Sequence, residues 1–257
     1  MTNKNALLLI IGIVISSILL FGCQQTQSTS SSLFTDDETA VLCGSLVSLS
    51  LKSDDNIKTT AQISSASVDS AESKTEGITG PNLGADDWWN VLYAYSNYNW
   101  DLYFKVKNIA GDWITNSADL DALLTTEMET LKIYALLTMT VGGDTMTLSM
   151  GASKDDPMIF DGLASTTTAR TVNGPIALAG SSSGTNYSIS MTYNDLALDA
   201  SGYPMFGTIS FSFTEGDSAT YAGTITFDGG NTAVLAFTSG SDSSYLVNID
   251  TGAVSSM

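Results

Sequence analysis

The residues that could do catalytic chemistry in this chain are few, and histidine is not among them. Its absence excludes Ser-His-Asp and Cys-His catalysis, zinc or haem bound through imidazole, and an imidazole general base. The letters G-x-S-x-G at 180–184 match those of a hydrolase nucleophile elbow. That motif requires a strand-to-helix turn and a histidine partner, so we interpret the segment as a loop.

Paired carboxylates are the other candidates for chemistry. They occur at Asp54-Asp55, Asp86-Asp87 and Asp155-Asp156, where their oxygen atoms could bind calcium. None has the spacing of an EF-hand loop, and none offers a carboxylate geometry on which a glycosidase could be proposed. We therefore predict solvated loop charge at these positions, no metal, no cofactor, no catalytic residue and no enzymatic activity.

Cysteine chemistry is confined to Cys23 and Cys43. Cys23 ends a segment that has a single Lys4, an apolar run at 6–21 and a small residue before the cysteine, which is the pattern of a signal peptide. The run is shorter than the roughly 20 residues that a membrane-spanning helix needs, so it favours an export signal. Its end, Leu20-Phe21-Gly22-Cys23, resembles the lipobox of the type II signal peptides of bacterial lipoproteins.

The resemblance implies that residues 1–22 are removed and that Cys23 carries a diacylglyceryl group and a fatty acid such as palmitate. Each buried methylene contributes about 0.8 kcal/mol, so several acyl chains form a durable anchor. Gln24, which stands where an acidic residue would retain a lipoprotein, resembles an outer-membrane sorting signal; the protein would face the periplasm or the cell surface. Cys43 would then be the only thiol, either a small buried residue, as its apolar neighbours predict, or half of an intermolecular disulfide.

The charge of the chain excludes one class of partner. The 257 residues include 27 acidic and 9 basic side chains, for a net charge of −18. Affinity for nucleic acid depends on Lys and Arg that neutralise phosphates, so no nucleic-acid partner is expected. Anionic headgroups would also repel the protein surface, which leaves the lipid on Cys23 as the predicted attachment to a membrane.

Aromatic residues are concentrated between positions 88 and 113, where all four tryptophans of the chain lie. Exposed rings can stack on sugars or on apolar ligands, whereas buried rings, at about 150–250 Å² each, fill a core. Both interpretations remain open at this point. The candidate ligand surface consists of Trp88, Trp89, Trp100, Trp113, Tyr98 and Tyr103.

The elements that must position these residues follow from changes in composition along the chain. Residues 23–34 are rich in Gln, Ser and Thr and predict a flexible tether. Residues 35–82 predict a short helix followed by a low-complexity linker, and Thr35 and Glu38 have the spacing of a capping box at the helix start. Residues 83–257 predict an antiparallel β-domain.

The β-domain is predicted from alternation and repetition. Apolar and polar residues alternate over 98–107, and the near copies G-T-I-S-F at 207–211 and G-T-I-T-F at 223–227 indicate neighbouring strands of a meander. About ten short strands with one or two short helices predict a mainly β protein, either an antiparallel sandwich or an open up-and-down barrel. This part resembles uncharacterised β-rich bacterial lipoproteins, a resemblance that implies no particular activity.

Three functional hypotheses follow. The first is a lipid-anchored cell-envelope protein that acts as a non-enzymatic binding or structural module, with a glycan, lipid or protein partner. The second is a carrier that holds an apolar ligand or lipid in an open β half-barrel, which requires a continuous apolar cavity. The third is a carboxylate-based glycan hydrolase, which requires Asp86, Asp87 and Asp101 to lie at a cleft.

Overall fold

The computed structural model describes residues 34–51, 78–95, 98–120, 128–141, 144–164, 169–182, 184–199, 203–216 and 218–257. The predicted signal peptide, the lipobox with Cys23 and nearly all of the predicted tether lie outside the described residues. Most of the predicted linker that follows the helix also lies outside them.

Within the described part, thirteen strands and one long helix are present, together with a single helical turn at 117–120. The helix is α1 Asp36–Leu51, and the strands are β1 Ile78–Leu83, β2 Trp89–Tyr95, β3 Tyr98–Asn108, β4 Met128–Val141, β5 Asp144–Met150, β6 Met158–Asp161, β7 Arg170–Ser182, β8 Thr185–Leu198, β9 Pro204–Glu215, β10 Ser218–Phe227, β11 Thr232–Ser239, β12 Ser244–Asn248 and β13 Val254–Ser256. The predicted mainly β, antiparallel class is confirmed. There are more strands than the ten or so expected, partly because β6 and β13 are too short for their alternation to be recognised in the sequence.

The described strands form one sheet in up-and-down order. Each strand pairs antiparallel with its neighbour along the chain, except that β5 pairs with β7 while the short β6 pairs with both β4 and β7. In this order β1 and β13 form the two ends of the sheet. The sheet is thus built almost entirely from hairpins, the arrangement that short turn-forming connections favour.

One face of the sheet, called here the inner face, carries the core. The alternation predicted over 98–107 is confirmed, because Leu102, Phe104 and Val106 are buried while the residues between them point the other way. The same period of two places apolar side chains of every long strand on this face. Together with α1 they form one contiguous hydrophobic cluster.

The two glycines of the repeated G-T-I motif have different roles. Gly207 has φ of +127° beside a register shift in the β8–β9 ladder, a conformation that other residues rarely adopt. Gly223 pairs with Phe211 on one side and Phe237 on the other, and these two rings meet edge to face with centroids 5.5 Å apart. A Cβ atom at Gly223 would lie 2.6 Å from Phe211 Cζ, so this glycine leaves the space that the rings need.

Helix α1 begins with the predicted capping box, which is confirmed. The Thr35 backbone N–H donates to Glu38 Oε2 at 2.8 Å, and the Glu38 N–H donates to Thr35 Oγ1 at 3.2 Å. Cys43 is fully buried in the cluster, as its apolar neighbours predicted. Burial raises the pKa of this thiol well above its ordinary value.

Polar contacts hold α1 against β12 and the connection before it. Asp36 accepts hydrogen bonds from Ser241 Oγ at 2.7 Å and Ser243 Oγ at 2.8 Å, and Asp37 accepts one from the Tyr245 hydroxyl at 2.7 Å. The bond from Ser241 is the main reason that the pKa of the Asp36 carboxyl is lowered. The start of α1 is therefore fastened to residues about 200 positions later in the chain.

We expect Gly223→Ala to lower the free energy of unfolding by about 1–3 kcal/mol, because the added methyl group must displace Phe211 or the neighbouring backbone. The matched control is Gly230→Ala, which adds the same group where φ is not positive and the nearest atom would be 3.5 Å away. That variant should stay within about 0.5 kcal/mol of the native protein. Urea unfolding measures both, and equal stabilities would contradict the packing role of Gly223.

Candidate ligand-binding surface

The outer face of β3 and β4 carries most of the positive charge of the described residues. Tyr103 pairs directly with Tyr134, and Lys105 pairs directly with Lys132. Lys107 follows Lys105 on the same face because side chains alternate along a strand. With Lys154, four of the five basic residues in the described ranges lie here. The group formed by Trp88, Tyr103, Lys105, Lys107, Trp113, Lys132, Tyr134 and Lys154 is called the lysine–aromatic surface.

Tryptophan rings hold the three lysines of β3 and β4. The ammonium nitrogens of Lys107 and Lys132 each lie 5.4 Å from the ring centroid of Trp113, which pairs with Lys107 through an isolated β-bridge. The Lys105 nitrogen lies 5.5 Å from the ring centroid of Trp88. Such contacts contribute about 0.5–1 kcal/mol each at exposed sites, so the rings fix where the charges are presented.

A pair of tyrosines continues this surface along the strands. The rings of Tyr103 and Tyr134 have centroids 5.8 Å apart and planes inclined by only 19°. The Lys154 nitrogen lies 4.2 Å from the Tyr103 centroid and 2.7 Å from Asp86 Oδ2. This hydrogen bond from Lys154 lowers the pKa of the Asp86 carboxyl, so Lys154 is paired with an acid.

Within the described ranges, the other three lysines of this surface have no such acidic partner. Among the described residues, no carboxylate lies within ion-pair distance of Lys105, Lys107 or Lys132. Like charges that face each other directly across a sheet are destabilising, and Lys105 and Lys132 are such a pair. The chain has 27 acidic side chains, yet none in its described part neutralises these three ammonium groups.

Two of the six predicted aromatic candidates contribute to the core. Trp89 is only 3% exposed, and its indole N–H donates to the Ile114 carbonyl oxygen at 2.8 Å. Trp100 is half-buried and packs against the core cluster. Neither ring lies on the outer face of the sheet, because both residues share the face of Leu102 and Phe104.

Three other candidates lie on the lysine–aromatic surface, to different depths. Trp88 is buried beneath Lys105, Tyr103 is half-buried, and Trp113 is 40% exposed. The side chain of the sixth candidate, Tyr98, lies outside the described residues, although its backbone begins β3.

Sequence reasoning did not single out the lysines or Tyr134. The alternation over 98–107 predicts that Lys105 and Lys107 lie on the solvent-facing side of a strand, and the small number of basic residues in the chain could have drawn attention to them. The sequence does not reveal the strand register that places Lys132 opposite Lys105 and Tyr134 opposite Tyr103.

The other candidates for chemistry that the sequence offered can be located in the structure. Residues 180–182 of the G-x-S-x-G segment belong to the end of β7, so the loop interpretation is wrong for them, and Gly184 lies in the turn before β8. Asp86 and Asp87 belong to the turn before β2, and Asp155-Asp156 belong to the irregular segment before β6; Asp54-Asp55 lie outside the described residues. Within the described ranges, no group of three or more acidic, cysteine or histidine side chains could hold a metal ion.

Comparisons with protein-family models, with curated proteins and with solved structures find no match for this chain. In the described part of the sequence, no helix combines the length and the apolar character needed to cross a bilayer.

We expect iodide to quench the fluorescence of Trp113 more strongly than caesium does, despite the net charge of −18, because two ammonium groups lie over its exposed ring. Trp113→Phe should abolish the preference for iodide, whereas Trp100→Phe, the matched change on the inner face, should retain it. Quenching titrations at constant ionic strength measure both. A stronger effect of caesium on the native protein would contradict a positive potential at this surface.

Proposed function

We propose that this protein is a lipid-anchored component of the cell envelope that acts as a non-enzymatic binding module. Its anchor is the lipid on Cys23, and its binding site is the lysine–aromatic surface. The ligand is anionic. The observation that carries this proposal is the group of Lys105, Lys107 and Lys132, which lies without a carboxylate partner among the described residues of a strongly acidic protein.

The charge of the whole chain does not prevent such binding at physiological salt. The Debye length is then about 8 Å, so acidic residues far from the ligand are screened, whereas direct contacts with the three ammonium groups are not. The flanking rings hold these groups in place before the ligand arrives. Less side-chain entropy is therefore lost on binding than three free lysines would lose.

The composition favours binding over catalysis. The chain has no histidine, and Cys43 is buried with a raised thiol pKa, so it is a poor nucleophile. The hydrolase hypothesis depended on Asp86, Asp87 and Asp101, and Asp86 is tied to Lys154, a member of the lysine–aromatic surface. The carrier hypothesis remains a prediction, and it requires a continuous apolar cavity. Helix α1 does not favour it, because Leu42, Leu46 and Val47 already occupy part of the inner core.

The proposed anchor also sets the distance between the binding surface and the membrane. A flexible chain of about ten residues, such as the predicted tether, has a root-mean-square length of roughly 18 Å. The folded domain would thus stay close to the bilayer that holds Cys23. We infer that its ligand belongs to the envelope or lies directly against it.

We expect protein extracted from bacterial membranes to begin at Cys23 and to carry the added mass of a diacylglyceryl and an acyl group. In Cys23→Ser this mass should be lost and the protein should leave the membrane fraction, because no thiol remains at that position to receive the lipid. Cys43→Ser is the matched control and should remain lipidated. Intact-mass spectrometry of the three proteins makes the test, and an unmodified native chain would contradict the anchor.

We expect the native protein to bind dextran sulfate, but not uncharged dextran, at about 0.15 M salt. The double variant Lys105→Gln, Lys132→Gln should bind at least about tenfold more weakly, since each charge-assisted contact contributes about 1.5–3 kcal/mol. Calorimetric titration measures the affinities.

The matched control for this titration changes the net charge by the same amount elsewhere on the outer face. Ser210→Glu with Thr226→Glu places two new charges on exposed positions of β9 and β10. This variant should keep nearly the native affinity. Equal losses in the two double variants would show that net charge alone controls the binding and would overturn the proposed site.

A further inference from the structure

We propose that the anionic ligand of the lysine–aromatic surface is an acidic glycan, a chain of sugar rings that carries carboxylate or similar groups. This inference rests on the binding function proposed for the same surface and names its ligand class. It is carried by the combination of ammonium groups that have no carboxylate partner among the described residues with a nearly parallel pair of tyrosine rings on one open strip of sheet.

The shape of the strip favours a chain over a small anion. Tyr103, Lys105 and Lys107 follow one another along β3, and at about 3.4 Å per residue they span roughly 14 Å. Across β4, Tyr134 and Lys132 repeat the same order from ring to charge. The surface is the open face of two strands. A ligand must therefore gain its affinity from several contacts made one after another along these strands.

The rings add a preference that charge alone does not give. The half-buried rings of Tyr103 and Tyr134 are stacked with their planes inclined by 19°, and the Lys154 ammonium lies over Tyr103, so Tyr134 is the ring against which a sugar would pack. The apolar faces of sugar rings pack on aromatic rings, while the tyrosine hydroxyls can exchange hydrogen bonds with sugar hydroxyls. A simple polyanion such as polyphosphate has no ring face and would gain no stacking contact from them.

Nearby carboxylates favour a glycan over an anionic membrane surface. Asp86 is exposed beside Lys154, Asp101 lies on the outer face of β3, and Asp112 immediately precedes Trp113. A lipid headgroup layer would bring its negative charge against all three. A glycan can instead present hydroxyl groups to these acids and its anionic groups to the lysines.

The test uses the full mature chain, prepared without the lipid on Cys23, and four probes. They are an oligogalacturonate, a neutral malto-oligosaccharide of the same length, polyphosphate, and phosphatidylcholine vesicles that contain phosphatidylglycerol. We expect oligogalacturonate to bind, the neutral oligosaccharide to bind at least about tenfold more weakly, and the vesicles not to bind protein that lacks its lipid.

Substitutions at Tyr134 measure what its aromatic ring contributes to the binding affinity. Tyr134→Leu should weaken oligogalacturonate binding about fivefold to tenfold and leave polyphosphate binding unchanged, as expected when one stacking contact is lost. Tyr134→Phe retains the ring and should keep most of the affinity. Urea midpoints of both variants establish that they are folded.

The outcomes separate this inference from the function on which it rests. If oligogalacturonate and polyphosphate bind equally and Tyr134→Leu affects neither, the glycan inference is overturned while anion binding stands. Preferential binding to the vesicles would overturn it in favour of a lipid surface. If no anionic probe binds, dextran sulfate included, the proposed function itself fails.

Discussion

Alternation of side chains along antiparallel strands is the constraint on which the rest of this structure depends. Burial of Phe104 and Val106 requires Lys105 and Lys107 to point outward, and burial of Leu131 and Ile133 does the same for Lys132. A slip of one residue would drive charged groups into the core, so the packing that stabilises the sheet also fixes its register. The lysine–aromatic surface is thus determined by the hydrophobic residues behind it.

Local patterns in the sequence predict what a single element can specify. The alternation over 98–107, the capping box of Thr35 and Glu38, and the burial of Cys43 each depend on neighbours a few residues away, and all three are confirmed. Pairing between strands that are distant in the sequence cannot be predicted from such local patterns. Nothing within β3 indicates that Lys132 will face Lys105, because that pairing depends on the length and course of the connection between β3 and β4. The adjacent Trp88 and Trp89 illustrate the same limit: alternation assigns them to opposite faces, but only the full fold decides which face is covered.

The uneven distribution of charge among the described residues lowers the stability of the sheet. Directly opposed lysines weaken a sheet, and the contacts with Trp88 and Trp113 offset part of that cost. The same rings hold the ammonium groups near fixed positions, so stabilisation of the sheet and presentation of the charges come from one set of contacts. The anchor proposed at Cys23 and the surface proposed on β3 and β4 are independent of one another, since the first rests on the predicted signal peptide and the second on the folded sheet.

The fastening of α1 to the last strands has a consequence for the time course of biogenesis. Asp36 and Asp37 are among the first described residues, yet their partners Ser241, Ser243 and Tyr245 are synthesised more than 200 positions later. The growing chain therefore cannot complete its core until translation is nearly finished, and contacts of such long sequence separation form slowly. The export proposed for this chain would benefit from that delay, because a polypeptide that has not yet closed its core can still be threaded through a secretion channel.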